Sequence, residues 1–304
     1  MLGKSLKIGA TIGIISPASP EEPTAIKNGI AFLENRAFKV KEGPHIYDKW
    51  GYLAGKDEDR ASDLNNFFKD DSVDGILCVR GGYGTMRMLS MIDLEVIRNN
   101  PKVFIGFSDI TAILNYISLN TGLITFHGPM GTSRLEDPYT CDSLFNTLSQ
   151  VKPYELENPE GYPLICGYGG EAKGKLIGGN LSLITSSIGT PYSLRFEDNI
   201  LFIEDIDEAP YKIDRMLTHL LNCGALQACS GFIVGQFEKC ELPHYERSLT
   251  LKEIFEDRLL SLKKPTILGL MTGHGYPKLT IPIGANIEII PEEGKISVTE
   301  AVVK

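Results

Sequence analysis

The chain lacks a long hydrophobic run. Nothing in it approaches the roughly 18–20 consecutive apolar residues that a helix needs to cross a bilayer. Its apolar start is broken by Gly9, Gly13, Ser16 and Pro17 and is followed by no small-residue cleavage site. That start reads as a first buried strand rather than a signal peptide. There is no basic block, and the formal charge is −9; both argue against nucleic acid or an anionic membrane as the main partner. C-x-x-C is absent, and the six cysteines (Cys78, Cys141, Cys166, Cys223, Cys229, Cys240) are scattered. In a chain of this length they read as buried or free thiols of a reducing compartment, so the cytoplasm is the expected location. Neither a G-K-[ST] phosphate loop nor a G-x-G-x-x-G turn is present, which disfavours a nucleotide oxidoreductase. Internal repeats and low-complexity tracts are also missing.

What is present suits a soluble α/β protein. The 304 residues are 42% hydrophobic and 23% charged, enough for two domains with substantial cores. Strands alternate with helices through residue 150: strand Ile12–Ser16, a helix bearing Ile26, Ile30 and Leu33, a strand near Phe38–Val40, helix Asp57–Lys69, strand Gly75–Val79, strand Val103–Phe107 and strand Leu123–Phe126. This order predicts a mostly parallel sheet covered on both faces. Residues 151–172, rich in Pro, Gly, Tyr and Glu, read as a linker. Residues 173–304 read as a second domain, with strand Lys175–Ile177, a GGN turn, helix Leu181–Ile188, strand Asn199–Ile203, helix Tyr211–Asn222, strand Gly231–Gln236, strand Pro265–Leu270 and a closing hairpin.

Chemistry in parallel sheets gathers beyond the carboxyl ends of strands, and four segments place polar residues there. Arg80-Gly81-Gly82-Tyr83-Gly84 follows one strand, and its glycines let backbone approach a ligand. A tight β–α connection explains the same residues equally well. Ser108 stands at a strand-to-helix corner in PKVFIGFSDITAILNY, where its hydroxyl would lie beside the first helical N–H groups. The corner is not G-x-S-x-G, and an N-cap serine is the plain alternative. Glu204-Asp205-Ile206-Asp207-Glu208 holds four carboxylates in five residues. They suggest a metal site or one oriented carboxylate among solvated ones, but the calcium-loop pattern is missing. His274 lies between two glycines and ranks ahead of His127, the other histidine at a strand end. His45 and His244 fall in polar loops and His219 within a helix. Ser108, Glu204 and His274 together fit a nucleophile, orienting carboxylate and base. Backbone N–H groups of Asp109 and Gly82 are the candidates for holding an oxyanion.

The segments VRGGYGTMRML, IGFSDITAIL, FHGPM, GKLIGGNLSLITSSIGTPY, ILFIEDIDEAPYKIDRMLTHL, GFIVGQF and GHGYPKLTIPIGA resemble, in that order, the signature segments of the LD-carboxypeptidase family of serine peptidases. The resemblance runs from Val79 to Ala285. It implies an N-terminal Rossmann-like domain carrying the nucleophile and a C-terminal swivelling β/β/α-type domain carrying the rest, with the active site at their interface. It puts the family's serine, glutamate and histidine on Ser108, Glu204 and His274, with no metal and no cofactor. The implied substrate is a small peptide, a murein tetrapeptide that loses its terminal D-alanine during cell-wall recycling. A second branch, similar to microcin C immunity proteins, would cut aminoacyl-nucleotide conjugates instead; DIDEAPYKIDRML resembles the murein branch more. A non-catalytic two-domain binder of peptide or sugar is the alternative from another class. Arg80 is the candidate for gripping substrate carboxylate, and the assembly state is left open, a homodimer being one option.

Overall fold

The computed structural model describes residues 1–242 and 245–304. In chain order its strands begin with β1 (Thr11–Ile15), β2 (Lys39–Glu42), β3 (Gly75–Cys78), β4 (Val103–Gly106) and β5 (Thr125–His127). They continue with β6 (Tyr154–Glu155), β7 (Ile165–Tyr168), β8 (Ala172–Asn180), β9 (Ile200–Ile206) and β10 (Gly231–Glu238). Last come β11 (Thr266–Leu268), β12 (Ile281–Ile283), β13 (Asn286–Ile290) and β14 (Lys295–Val298). No helix among the described residues is long and apolar enough to cross a membrane.

Two compact units divide the chain. The first comprises Met1–Lys152, Thr280–Gly284 and Ala301–Lys304. Its sheet has the order β2-β1-β3-β4-β5-β12, parallel except at β12, which runs antiparallel to β5. The first five strands therefore have the doubly wound order 2-1-3-4-5, which reverses direction between β1 and β3. All four residues of β3 and of β4 are buried, as expected for strands covered on both faces. The loops after β1, β3 and β4 all leave the carboxyl edge of this sheet, where such folds keep their ligands.

The second unit comprises Pro153–Leu279 and Ala285–Glu300. Its sheet runs β6-β14-β13-β8-β9-β10-β11-β7, with a parallel centre from β8 to β11 and antiparallel pairs at both flanks. Helix Pro210–Asn222 buries Ile213, Leu217 and Leu220 with Leu201 and Ile203 of β9 and Phe232 and Val234 of β10. The chain is thus α/β, with two sheets that are parallel at their centres.

Three local expectations change. The stretch 151–172 carries β6 and β7, and each pairs at an edge of the second sheet. The GGN segment is the end of strand β8, not a turn. A Cβ on Gly178 would lie 2.1 Å from the Phe202 carbonyl oxygen, so glycine there answers a close strand approach at a φ of +107°. Ile281–Ile283 pairs with β5 in the first sheet although the stretches Pro153–Leu279 before it and Ala285–Glu300 after it belong to the second unit.

Candidate active site

In the first unit the Ser108 corner is built from backbone geometry. Phe107 is extended, Ser108 adopts a φ of +62°, and a 3-10 turn over Ser108–Ile110 leads into helix Thr111–Thr121. A left-handed conformation at a non-glycine residue is costly, on the order of 1–3 kcal/mol, and such residues concentrate at functional sites. Gly106 is required just before the corner, because a Cβ there would sit 2.7 Å from a methyl carbon of Ile110. The Asp109 side chain is buried and secures the next turn. Its Oδ2 accepts from the Thr85 N–H at 2.9 Å, and its carbonyl accepts from the Thr85 hydroxyl at 2.6 Å. Burial pushes the Asp109 carboxyl above its ordinary range, while the bonds from Thr85 oppose that rise.

The Arg80–Gly84 loop lies directly against this corner. A Cβ on Gly81 would come within 2.8 Å of Ser108 Cβ, 3.1 Å of Ser108 Oγ and 3.3 Å of the Asp109 nitrogen. The loop can pass this close to the hydroxyl only because position 81 has no side chain. Gly82 has a φ of +118°, and a Cβ on it would strike Ser19 Oγ at 2.3 Å. That same Ser19 hydroxyl accepts from the Tyr83 N–H at 3.1 Å and braces the loop from β1. Arg60, fully buried, donates to the carbonyls of Pro17 and Gly84 and pairs with Asp57, so it ties the loops after β1 and β3 together. Arg80 points to Glu21, with Nη1 3.4 Å from Oε2, and is partly exposed. His127 is buried in β5 with its ring 5.8 Å from that of Phe107, beside the corner.

In the second unit Glu204 and His274 meet. Glu204 sits in β9 with no exposed surface, and its Oε2 lies 2.6 Å from His274 Nδ1. An ionised carboxylate can only accept, so His274 donates its Nδ1–H to Glu204, and in the neutral ring the lone pair is then on Nε2. The loop after β11 brings the imidazole in because Gly273, at a φ of +138°, passes the carboxylate closely: a Cβ there would lie 3.0 Å from Glu204 Oε2. Gly275 has the same kind of tight neighbour, since its Cβ would lie 2.9 Å from Gln236 Nε2. Gln236 in turn donates to the Pro277 carbonyl at 3.2 Å, and its own N–H donates to the Thr272 carbonyl at 2.9 Å.

The other carboxylates of the acid run go separate ways. Asp205 is buried and accepts from the Asn180 amide and from both the N–H and hydroxyl of Ser182, each at 2.9 Å. It thereby secures the start of helix Leu181–Ser187. Glu208 pairs with Lys212 at 3.0 Å. Among the described residues, the group close enough to share a cation is instead His45, Asp48 and Asp59, in the first unit. His219 lies in helix Pro210–Asn222, and His244 lies outside the described residues.

Sequence reasoning missed Ser19, Arg60, Gln236 and Lys278. Nothing in their local pattern marks them; Lys278 has no exposed surface at all, whereas a lysine after Tyr-Pro normally reads as solvated loop. A groove of about 590 Å³ in the second unit, lined by Glu157, Tyr162 and Lys295 among others, includes none of the residues that carry chemistry.

Residues 12–128 match the LD-carboxypeptidase N-terminal domain and residues 173–289 the LD-carboxypeptidase C-terminal domain. The chain is 42% identical, over 98% of its length and 94% of that protein, to a probable murein peptide carboxypeptidase of Bacillus subtilis. The apo structure of the wild-type microcin self-immunity protein MccF superposes with a TM-score of 0.92 at 27% identity, covering 100% of both chains. A muramoyltetrapeptide carboxypeptidase from Oxalobacter formigenes gives a TM-score of 0.83 at 27% identity, covering 95% of this chain and 97% of that one.

Proposed function

The chain belongs to the LD-carboxypeptidase family, and on that premise we propose that it is a metal-free serine carboxypeptidase removing the terminal D-alanine of murein tetrapeptides in the cytoplasm. The observation that carries this reading is the 2.6 Å contact between His274 Nδ1 and Glu204, which orients an imidazole with Nε2 left to act as a base. The strained Ser108 corner, with side-chain-free Gly81 beside its hydroxyl, supplies a nucleophile of the matching kind.

In this mechanism Ser108 Oγ attacks the carbonyl between the L-centre of the diamino acid and D-alanine, while His274 Nε2 takes the hydroxyl proton. The N–H groups of Asp109 and Gly82 hold the resulting oxyanion beside the start of the helix. Collapse breaks the C–N bond, and His274 gives its proton to the leaving amine. Water, deprotonated by His274, then hydrolyses the acyl-serine. Glu204 fixes the imidazole tautomer and stabilises the imidazolium without itself taking the proton. The scheme requires Ser108 of the first unit and His274 of the second to meet in the working enzyme. Arg80 is the proposed partner of the substrate's terminal carboxylate, with Glu21 tempering its charge.

The higher TM-score to MccF favours a second reading, cleavage of an aminoacyl-nucleotide conjugate. Identity to the two solved structures is equal, whereas the 42% identical relative bears a murein name, so the murein reading leads. One preparation tested on both substrates separates them. Mass spectrometry should show D-alanine released from L-Ala-γ-D-Glu-diaminopimelyl-D-Ala, with an aminoacyl sulfamoyl-adenosine cut far more slowly. The reverse preference would overturn the substrate and leave the catalytic residues standing.

A further inference from the structure

We infer that Ser19, in the loop after β1, is a positioning residue for the reaction: it registers residues 81–83 so that the Gly82 N–H meets the oxyanion. The inference rests on the roles given above to Ser108 and Gly82. Ser19 engages three successive residues of the facing loop. Its N–H donates to the Gly81 carbonyl at 3.4 Å, and its Oγ accepts from the Tyr83 N–H at 3.1 Å. Between these two bonds Gly82 lies flat against it, since a Cβ there would sit 2.5 Å from Ser19 Cβ and 2.3 Å from Oγ. The Gly82 N–H itself has no acceptor among the described residues, so it is free to receive a developing charge.

The loop needs an outside brace. Gly81 and Gly82 have no side chains with which to hold themselves, and glycine backbone is the most mobile there is. Gly82 and Gly84 both take positive φ, +118° and +131°. The far end of the loop is fixed where Thr85 bonds to Asp109, and the near end leaves β3. Ser19 supplies the hold in between, from a segment that is itself immobile. The Pro17 carbonyl accepts from buried Arg60, and the Ala18 carbonyl accepts from the Ala54 N–H at 2.9 Å. Pro17 and Pro20 fix the backbone on either side.

An oxyanion donor is effective because it is already aimed when charge develops and costs no reorganisation at that moment. Here the margin is small. A Cβ on Gly81 would lie 3.1 Å from Ser108 Oγ, so a shift of the loop is felt at the nucleophile. Ser19 touches the loop rather than the reacting atoms. Loosening it therefore weakens the transition state and leaves the bound substrate nearly as before.

The test is Ser19→Ala, with Ser19→Thr as the variant that keeps the hydroxyl. On the tetrapeptide, Ser19→Ala should lower kcat and kcat/KM together by about tenfold, short of the roughly 10²–10³-fold loss of a donor removed outright. The second readout is a peptide boronate with boron in place of the scissile carbonyl carbon. Ser108 Oγ adds to boron, its proton passing to His274, and the tetrahedral adduct presents an oxygen where the oxyanion forms. Its affinity should fall by the same factor as kcat/KM, while the tripeptide product binds as to the wild type. Ser19→Thr should keep most of both quantities. A boronate bound as tightly by Ser19→Ala as by the wild type would overturn the inference. So would a variant that is only less stable to denaturant, with unchanged kcat in its folded fraction, or equal losses in Ser19→Thr. Failure of the underlying reading looks different, because Ser108→Ala would then retain turnover.

Discussion

The two units hold their chemical groups by different physics. In the first, Ser108 is held by backbone geometry: a left-handed residue, three glycines at close approaches, and a buried aspartate bonded to Thr85 only 24 positions away. In the second, His274 is held by a charge: a buried glutamate 70 positions distant. Steric placement does not depend on pH, whereas placement by charge does. Damage around Ser108, the proposed nucleophile, should therefore lower the rate evenly across pH, and damage around His274, the proposed base, should distort the pH profile.

The largest expected effects test whether the two halves act as one machine. Ser108→Ala and His274→Ala should each cost several orders of magnitude in turnover, and the double variant little more, as for residues that act as a unit. His127→Ala, in the first unit beside Phe107, should mainly alter stability or binding. If folded His127→Ala loses more turnover than His274→Ala, the base has been misassigned. Next comes Glu204→Gln, which keeps shape but removes the charge and disturbs the imidazole tautomer. A loss of roughly 10³–10⁴-fold in kcat is expected, by analogy with the corresponding change in a Ser-His-Asp enzyme. Retained activity at neutral pH would mean that His274 is not held by the Glu204 charge.

Gly81→Ala probes the steric half. Its new Cβ, 3.1 Å from Ser108 Oγ and 3.3 Å from the Asp109 nitrogen, would occupy the space an oxyanion needs. About a 10²–10³-fold fall in kcat, the scale of a lost oxyanion donor, should appear with an unshifted pH profile. A shifted acid limb in this variant would mean that the loop acts through charge after all. Arg60→Met should do least to the chemistry. It leaves the buried Pro17 and Gly84 carbonyls without their donor while Asp57 keeps Arg87, at a cost of about 1–3 kcal/mol of stability. Chemical denaturation reads that loss directly, and the kcat of the folded fraction should fall by less than in Gly81→Ala.

The same contrast explains what could be read before folding. The strand-to-helix corner at Ser108 and the Arg80–Gly84 loop were legible because their signals lie within a few residues: an apolar run, a break, a helical period. Helix Asp57–Lys69 was legible to the residue, with Asp57, Glu58 and Asp59 in its first turn and Lys69 in its last, as the helix dipole favours. The pairing of Glu204 with His274 was legible only as a fit of roles: each stands beyond a predicted strand end, and the family resemblance then put the same roles on both, but neither segment by itself marks the other as its partner. The GGN segment misled because glycines signal a turn as readily as a close strand approach.

By itself, then, the chain determined an α/β protein with parallel strands, the corner that exposes Ser108, and a histidine loop flexible enough to approach another strand. Those are short-range properties, set by backbone sterics and by periodicity over one or two turns. Tertiary structure alone decided that Ile281–Ile283 returns to the first sheet, since a three-residue apolar run, buried throughout, carries no local signal of which sheet it joins. It alone decided that Asp205 secures a helix while Glu204 meets the imidazole. Adjacent residues of a strand point to opposite faces, and what each face meets comes from elsewhere in the chain. It alone put Arg60 and Lys278 in the interior, because burial is the sum of contacts with residues far away in sequence, and no local pattern records that sum.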